Sequence, residues 1–155
     1  MPKLPISENK TLKLTNALIA EISAEEISGM LFVDKMENYI RSKGFQPVGP
    51  LVQYTCLHEG KDGEQNLTIR FFRQASGYIK RTEPPYSMMP ILRVPNCLYV
   101  RFTGSQDKIS LAYQKLSVFA YEEEIELTGS TYTVFVKQMG DEDIVADIFM
   151  ERAHD

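Results

Sequence analysis

Several features that commonly reveal a function are scarce in this sequence. Its two cysteines, Cys56 and Cys97, are too few for a disulfide scaffold and are read as free thiols. No segment approaches the roughly 20 apolar residues of a membrane span. The amino-terminal Met1-Pro2-Lys3-Leu4-Pro5 lacks the apolar stretch of a secretion signal, so the expected location is the cytoplasm, with no membrane partner. There is no basic excess: 17 Lys and Arg stand against 21 Asp and Glu, giving a net charge of -4, which argues against nucleic acid as a direct partner. Lys80-Arg81, with Arg70, Arg73 and Arg93, is the one basic patch, and its plainest reading is a solvated face. No phosphate-cradling glycine loop, serine elbow or metal-binding helix motif is found. Cys56, His58 and Cys97 match no zinc spacing, and no third group completes a Cys-His nucleophile pair. No metal and no cofactor are therefore expected.

What the chain does have is an internal correspondence. Residues 18–54, shifted by eighty positions, return as residues 98–134. Leu18, Ala20 and Ile22 become Leu98, Val100 and Phe102. The box Ser23-x-x-Glu26 becomes Thr103-x-x-Gln106, each pairing a hydroxyl with a longer acceptor suited to the free amides of a helix start. Leu31, Met36, Tyr39 and Ile40 then fall on Leu111, Leu116, Phe119 and Ala120, and both helices leave through a glycine-bearing turn into a new strand.

In chain order, a loose lead-in covers residues 1–10 and a half-buried strand residues 12–22. A helix over 24–42 ends at Lys43-Gly44. Pro47 and Gly49-Pro50 stop regular structure and launch a strand over 51–57, and the turn Lys61-Asp62-Gly63-Glu64 leads to another over 67–73. Residues 74–96, with four prolines, read as the connection between repeats. The apolar Tyr78, Ile79, Tyr86, Met88, Met89, Ile91 and Leu92 predict that part of it lies on the body. The second repeat gives a strand over 97–103, a helix over 106–121 and strands over 131–137 and 144–151. The length, 155 residues, suits a single α+β domain: repeat one at 12–73, repeat two at 97–152, an antiparallel sheet with two long helices, and pseudo-twofold symmetry.

This order of elements resembles the GyrI-like effector-binding domains, which include the ligand-sensing halves of AraC-type and MerR-type regulators. The features that carry the resemblance are the doubled β-α-β-β unit, Gly49-Pro50 before a strand with Tyr54, the stretch from Gly129 to Phe135, and an acid in the closing strand at Asp147. It covers residues 12–152. The resemblance implies a groove between repeats that takes amphipathic, often cationic, aromatic compounds against a buried acid. In the family that acid is usually glutamate, one methylene longer than Asp147. The segment matching the family's His-x-Gly-Pro-Tyr is Arg101-Phe102-Thr103-Gly104-Ser105, which keeps only the glycine. Without room for DNA-reading helices, the chain is expected to be a stand-alone member.

Strand parity sorts the candidate residues. Ile144, Ala146, Ile148 and Met150 form the helix-packed face of the last strand, leaving Val145, Asp147, Phe149 and Glu151 on the other. A carboxylate there favours a cation, or is neutralised by Arg101, which points away from the helix together with Tyr99. Tyr54, Phe135 and Phe149 join the candidate ligand-binding set as aromatic surfaces. Tyr132 is expected on the helix side, and the facing of Tyr54 is open. Three functions follow. The first is binding of a hydrophobic, in some cases cationic, aromatic small molecule, to sense or sequester it. The second is a protein-binding module like the gyrase-inhibitory proteins, which Arg101 paired to Asp147 would favour and to which the acidic clusters Glu122-Glu123-Glu124 and Asp141-Glu142-Asp143 could contribute. The third is a small-molecule hydrolase, for which no matched acid-base pair is present beyond Asp147 and Tyr99.

Overall fold

The computed structural model describes residues 5–23, 31–140 and 142–153. The first helix's expected start with Glu26 of the first capping box, the first four residues of the chain, and Asp141 lie outside the described residues. The fold is α+β, mostly antiparallel strand with two helices: β1 (Ser7–Glu21), α1 (Leu31–Ser42), β2 (Pro47–Glu59), β3 (Gln65–Ala75), β4 (Tyr86–Ser105), α2 (Ile109–Glu122), β5 (Leu127–Met139) and β6 (Asp143–Arg152). The chain divides into two compact units, residues 13–93 and residues 1–12 with 94–155. Among the described residues no helix is long and apolar enough to cross a membrane.

In the 13–93 unit the strands run in the order β1-β3-β2, each pair antiparallel. Phe32, Met36 and Ile40, spaced four apart, put one stripe of α1 onto Leu18, Ala20 and Ile22 and onto Ile69 and Phe71. The Phe32 and Phe71 rings lie 4.3 Å apart. Leu31, which the spacing placed in that stripe, is 65% exposed, and Phe32 fills the role a hundred degrees further round the helix. The helix stops as Gly44 suggested. Gly44 takes φ +89°, its N–H donates to Arg41, and the Phe45 N–H donates to Ile40, closing a Schellman cap.

Pro47 and Gly49-Pro50 do not precede β2 but lie inside it. Gly49, at φ +72°, sits in an irregularity where the register with β3 shifts between Val48 and Val52. Arg73 fastens this bulge, donating from Nη1 to the carbonyls of Val48 and Gly49 and from Nε to Glu37 of α1 at 3.1 Å. The expected lead-in is also shorter, because β1 already starts at Ser7. The connection shrinks from 74–96 to 76–85, since β4 begins at Tyr86 and accommodates Pro90 and Pro95, whose fixed φ suits extended backbone. Ile79 is buried, and Tyr86 and Met88 pack on the α1 core as their apolar character requires; Tyr78 and Ile91 stay exposed. Glu83 anchors this segment to α1. It accepts from the Tyr39 hydroxyl and from Lys43 Nζ at 2.9 Å, contacts that hold its carboxyl below the usual range.

In the other unit the order is β4-β6-β5, again antiparallel. Ala112, Leu116 and Ala120 of α2 pack against Leu98, Val100 and Phe102 and against Ile144, Ala146 and Ile148. Leu111 lies at the margin, 37% exposed. The expected Thr103-x-x-Gln106 box does not form. Thr103 remains in β4 opposite Val145, a short 3-10 turn (Gln106–Lys108) precedes α2, and neither helical start has a side-chain cap. The Gln106 N–H is satisfied instead by the carbonyl of Glu142 at 2.9 Å. At the far end Glu124 adopts φ +56°, and Ile125 donates to Ala120 at 2.8 Å, the same cap built without glycine.

Two asparagines escaped the parity argument. Asn16 and Asn96 take φ +49° and +58°, and each precedes two consecutive buried residues, Ala17-Leu18 and Cys97-Leu98. A left-handed residue interrupts strand alternation, and asparagine is among the side chains that tolerate it.

Candidate functional site

The residues of interest gather on the face of the β4-β6-β5 sheet away from α2. In an antiparallel pair, residues directly opposite one another project to the same side. β4 sets Tyr99 opposite Phe149 and Arg101 opposite Asp147, while β5 sets Tyr132 opposite Phe149 and Val134 opposite Asp147. The apolar alternation of β6 points Ile144, Ala146, Ile148 and Met150 into the helix-side core and turns Asp147 and Phe149 the other way.

The Asp147 side chain is 16% exposed and fully engaged. Its Oδ1 accepts from the Tyr99 hydroxyl at 2.7 Å and from Arg101 Nε at 2.8 Å, and its Oδ2 accepts from Arg101 Nη2 at 3.0 Å. The Arg101 contact is thus bidentate, the geometry in which a guanidinium binds carboxylate best. Burial and then the bond to Asp147 push the Tyr99 phenol above its ordinary range, so it remains a proton donor. The Tyr99 and Phe149 rings are 5.0 Å apart and tilted, and Lys10 Nζ lies 5.7 Å from the Tyr99 centroid.

The arrangement is a carboxylate set among aromatic rings and covered by one cation. Both carboxylate oxygens accept hydrogen bonds from Tyr99 or Arg101. The asymmetry of exposure matters more. The Arg101 side chain is 54% exposed while its partner is 16% exposed, so the cation of the pair faces water and the acid lies beneath it.

The structure brings Asp147, Tyr99, Arg101 and Phe149 together. Phe135 does not join them. It lies opposite Ala146 and packs against the α2-side core, because Val134, one residue earlier, is the one facing Asp147. Tyr132, expected on the helix side, faces the other way, opposite Phe149. Val52 of the other unit likewise lies opposite Phe72, away from the α1 core. Tyr54 belongs to the 13–93 unit, opposite Arg70. Its ring is 5.5 Å from the Arg70 guanidinium and 6.2 Å from Phe72. Lys10 and Val134 were missed.

The two units carry related cross-strand ion pairs. β1 and β3 place Glu21 opposite Arg70, joined at 3.1 Å, where β4 and β6 place Arg101 opposite Asp147. The signs are reversed. Elsewhere, among the described residues, no group of three His, Cys, Asp or Glu side chains is arranged to hold a metal, and His58 Nε2 lies 3.0 Å from Thr68 Oγ1.

No family model matches the sequence, and no curated protein matches it. Solved structures do match. EcmrR, in a cryo-EM structure of an EcmrR-DNA complex in EcmrR-RPo, aligns with 97% of this chain at a TM-score of 0.64 and 15% identity. The chain spans 57% of that EcmrR chain. SAV2435 bound to tetraphenylphosphonium aligns with 97% of this chain and 94% of its own, at a TM-score of 0.51 and 8% identity. At such identities the likeness is one of fold, and the chain shares its α+β fold with both proteins.

Proposed function

We propose that this protein is a small-molecule-binding protein of the effector-binding type, which senses or sequesters a hydrophobic aromatic cation. The observation that carries the reading is Asp147, a mostly buried carboxylate beside the Tyr99–Phe149 ring pair and covered by a half-exposed arginine. Arg101 itself is half-exposed and regains water when displaced, while the buried Asp147 cannot be left uncovered without cost, so the exchange is favourable only when another cation takes the arginine's place. A ligand cation would gain the carboxylate, and its rings would gain contact area and about 0.5–2 kcal/mol of cation–π attraction. SAV2435, which shares the fold, was solved with such a cation, and this supports the ligand class. A tandem β-α-β-β repeat is part of the reading. It is supported by left-handed residues at Asn16 and Asn96, Gly44 and Glu124, and Gly49 and Gly129, each pair eighty positions apart.

The test is a thermal-shift titration with tetraphenylphosphonium and with neutral triphenylphosphine oxide. At a hundred times its dissociation constant a ligand stabilises by about 2.7 kcal/mol, a readable rise in Tm. The cation should raise Tm in the native protein, more strongly in Arg101→Ala, and not in Asp147→Asn. The neutral compound should distinguish none of the three.

One observation favours a second reading, a protein-binding module. Arg101 is in fact paired with Asp147, which closes the charge a ligand would use. The exposed Glu122, Glu123 and Glu124 would then face a basic partner. Failure of the cation to stabilise even Arg101→Ala would sink the ligand reading and leave this one.

A further inference from the structure

The basic patch seen in the sequence does not survive as a patch. Arg70 is paired with Glu21 and Arg73 with Glu37, while Lys80 and Arg81 are exposed and have no ion pair among the described residues. These last two line an open depression of about 410 Å³ together with Lys43, Phe45, Tyr78 and Ile79, all within the 13–93 unit. Its lining is held from behind. Ile79 is 3% exposed and belongs to the α1-side core, against which Phe45 also packs. At Gly77 a Cβ would lie 2.3 Å from Phe45 Cε1, so the ring rests directly on the glycine backbone, and this wall of the depression exists because residue 77 has no side chain. Lys43 is bound to Glu83, which accounts for its charge. Lys80 and Arg81 are left for a ligand, next to the 43% exposed ring of Tyr78.

We propose that this depression is a second binding site, for a small aromatic anion: one or two rings bearing a single acidic group. The volume falls in the range that takes small molecules. Phe45, Ile79 and Tyr78 supply the apolar contact and an aromatic face, and Lys80 and Arg81 supply two unpaired cations for the acidic group. The charge preference is opposite to that of the Asp147 face, and the inference is independent of the function proposed for that face.

The probe is 8-anilinonaphthalene-1-sulfonate, with N-phenyl-1-naphthylamine, the same ring system without the sulfonate, as its neutral control. Fluorescence titrations use the native chain, Lys80→Gln/Arg81→Gln and Tyr78→Ala. Lys80, Arg81 and Tyr78 are all exposed, so these variants should keep the fold, which circular dichroism would verify. The site predicts saturable binding of the sulfonate that weakens at least tenfold in Lys80→Gln/Arg81→Gln and also weakens in Tyr78→Ala. The neutral compound should lose affinity in Tyr78→Ala alone, and tetraphenylphosphonium should not displace the sulfonate. Equal sulfonate affinity in native and Lys80→Gln/Arg81→Gln proteins, or no binding to the native protein, would overturn the proposal while leaving the cation titration at Asp147 to be judged separately.

Discussion

Individual side chains in this protein differ most in what surrounds them, and the two thiols show how much follows from that. Cys97 has no exposed surface, and burial pushes its thiol up to about 11, from 9.0. Cys56 is half-buried. Since the thiolate is the reactive form, a disulfide reagent at pH 8 should label one thiol per folded chain, at Cys56, and a second only after unfolding. Equal labelling rates would contradict the burial of Cys97. The same shift sets a pH dependence. A thiol that ionises at higher pH when folded contributes its full stability below pH 9, and loses it as the unfolded thiol deprotonates between 9 and about 11. The stability difference between the native chain and Cys97→Ala, measured by urea unfolding, should therefore shrink across that window. Strand parity set Asp147 on the face away from the helix, and its pairing opposite Arg101 and Val134 places it there. Phe135 was misplaced together with Tyr132: the pairing from Thr131 to Phe135 is regular, so alternation holds there, but the register shift before Thr131 hides from the sequence which of its two faces meets α2.

At the level of the elements, the ends of the two helices were easier to read than their beginnings. Gly44 marked the end of α1 because glycine alone is unstrained at φ +89°. The matching end of α2 gives no such sign, since Glu124 occupies φ +56°. A non-glycine side chain there costs about 1–2 kcal/mol, so Glu124→Gly should stabilise the protein by about 1 kcal/mol in chemical denaturation, after the gain in unfolded-state entropy that glycine brings is set against the relief. An unchanged or lower midpoint would refute the strain. The expected capping box at Thr103 failed for a tertiary reason. Pairing with β6 runs through Thr103 to Ser105, which keeps the hydroxyl in the strand and out of reach of the helix start. Arg73 is the complementary case, a side chain that joins three elements. Its ion pair with Glu37 is mostly buried, at 15% and 24% exposed, and it also holds the carbonyls of the Gly49 bulge. Arg73→Ala should cost about 2–4 kcal/mol, well above the effect of an exposed pair such as Glu21→Ala, and a urea midpoint within error of the native value would show that the bulge does not depend on it.

Across the whole chain, element order was the most legible property and side-chain facing the least. Each unit has the last of its three strands in sequence set in the middle, β3 between β1 and β2, and β6 between β4 and β5. Amides of β3 and β6 should be the slowest to exchange with deuterium in their units, while residues 59–65 around the hairpin turn exchange early. Fast exchange in β6 would contradict the order. The order followed from patterning, since apolar residues recur at helical and strand spacing, and turn residues separate the segments. The facing of Tyr132 and the substitution of Phe32 for Leu31 did not, because both depend on rotations of a single residue that the pattern tolerates. The reversed ion pairs have a consequence for redesign. Glu21→Arg combined with Arg70→Asp would transplant an acid-centred face into the 13–93 unit without altering the formal charge of -4. The second half thus supplies both the template for such an exchange of charges and the matched control against which its effect on stability would be read.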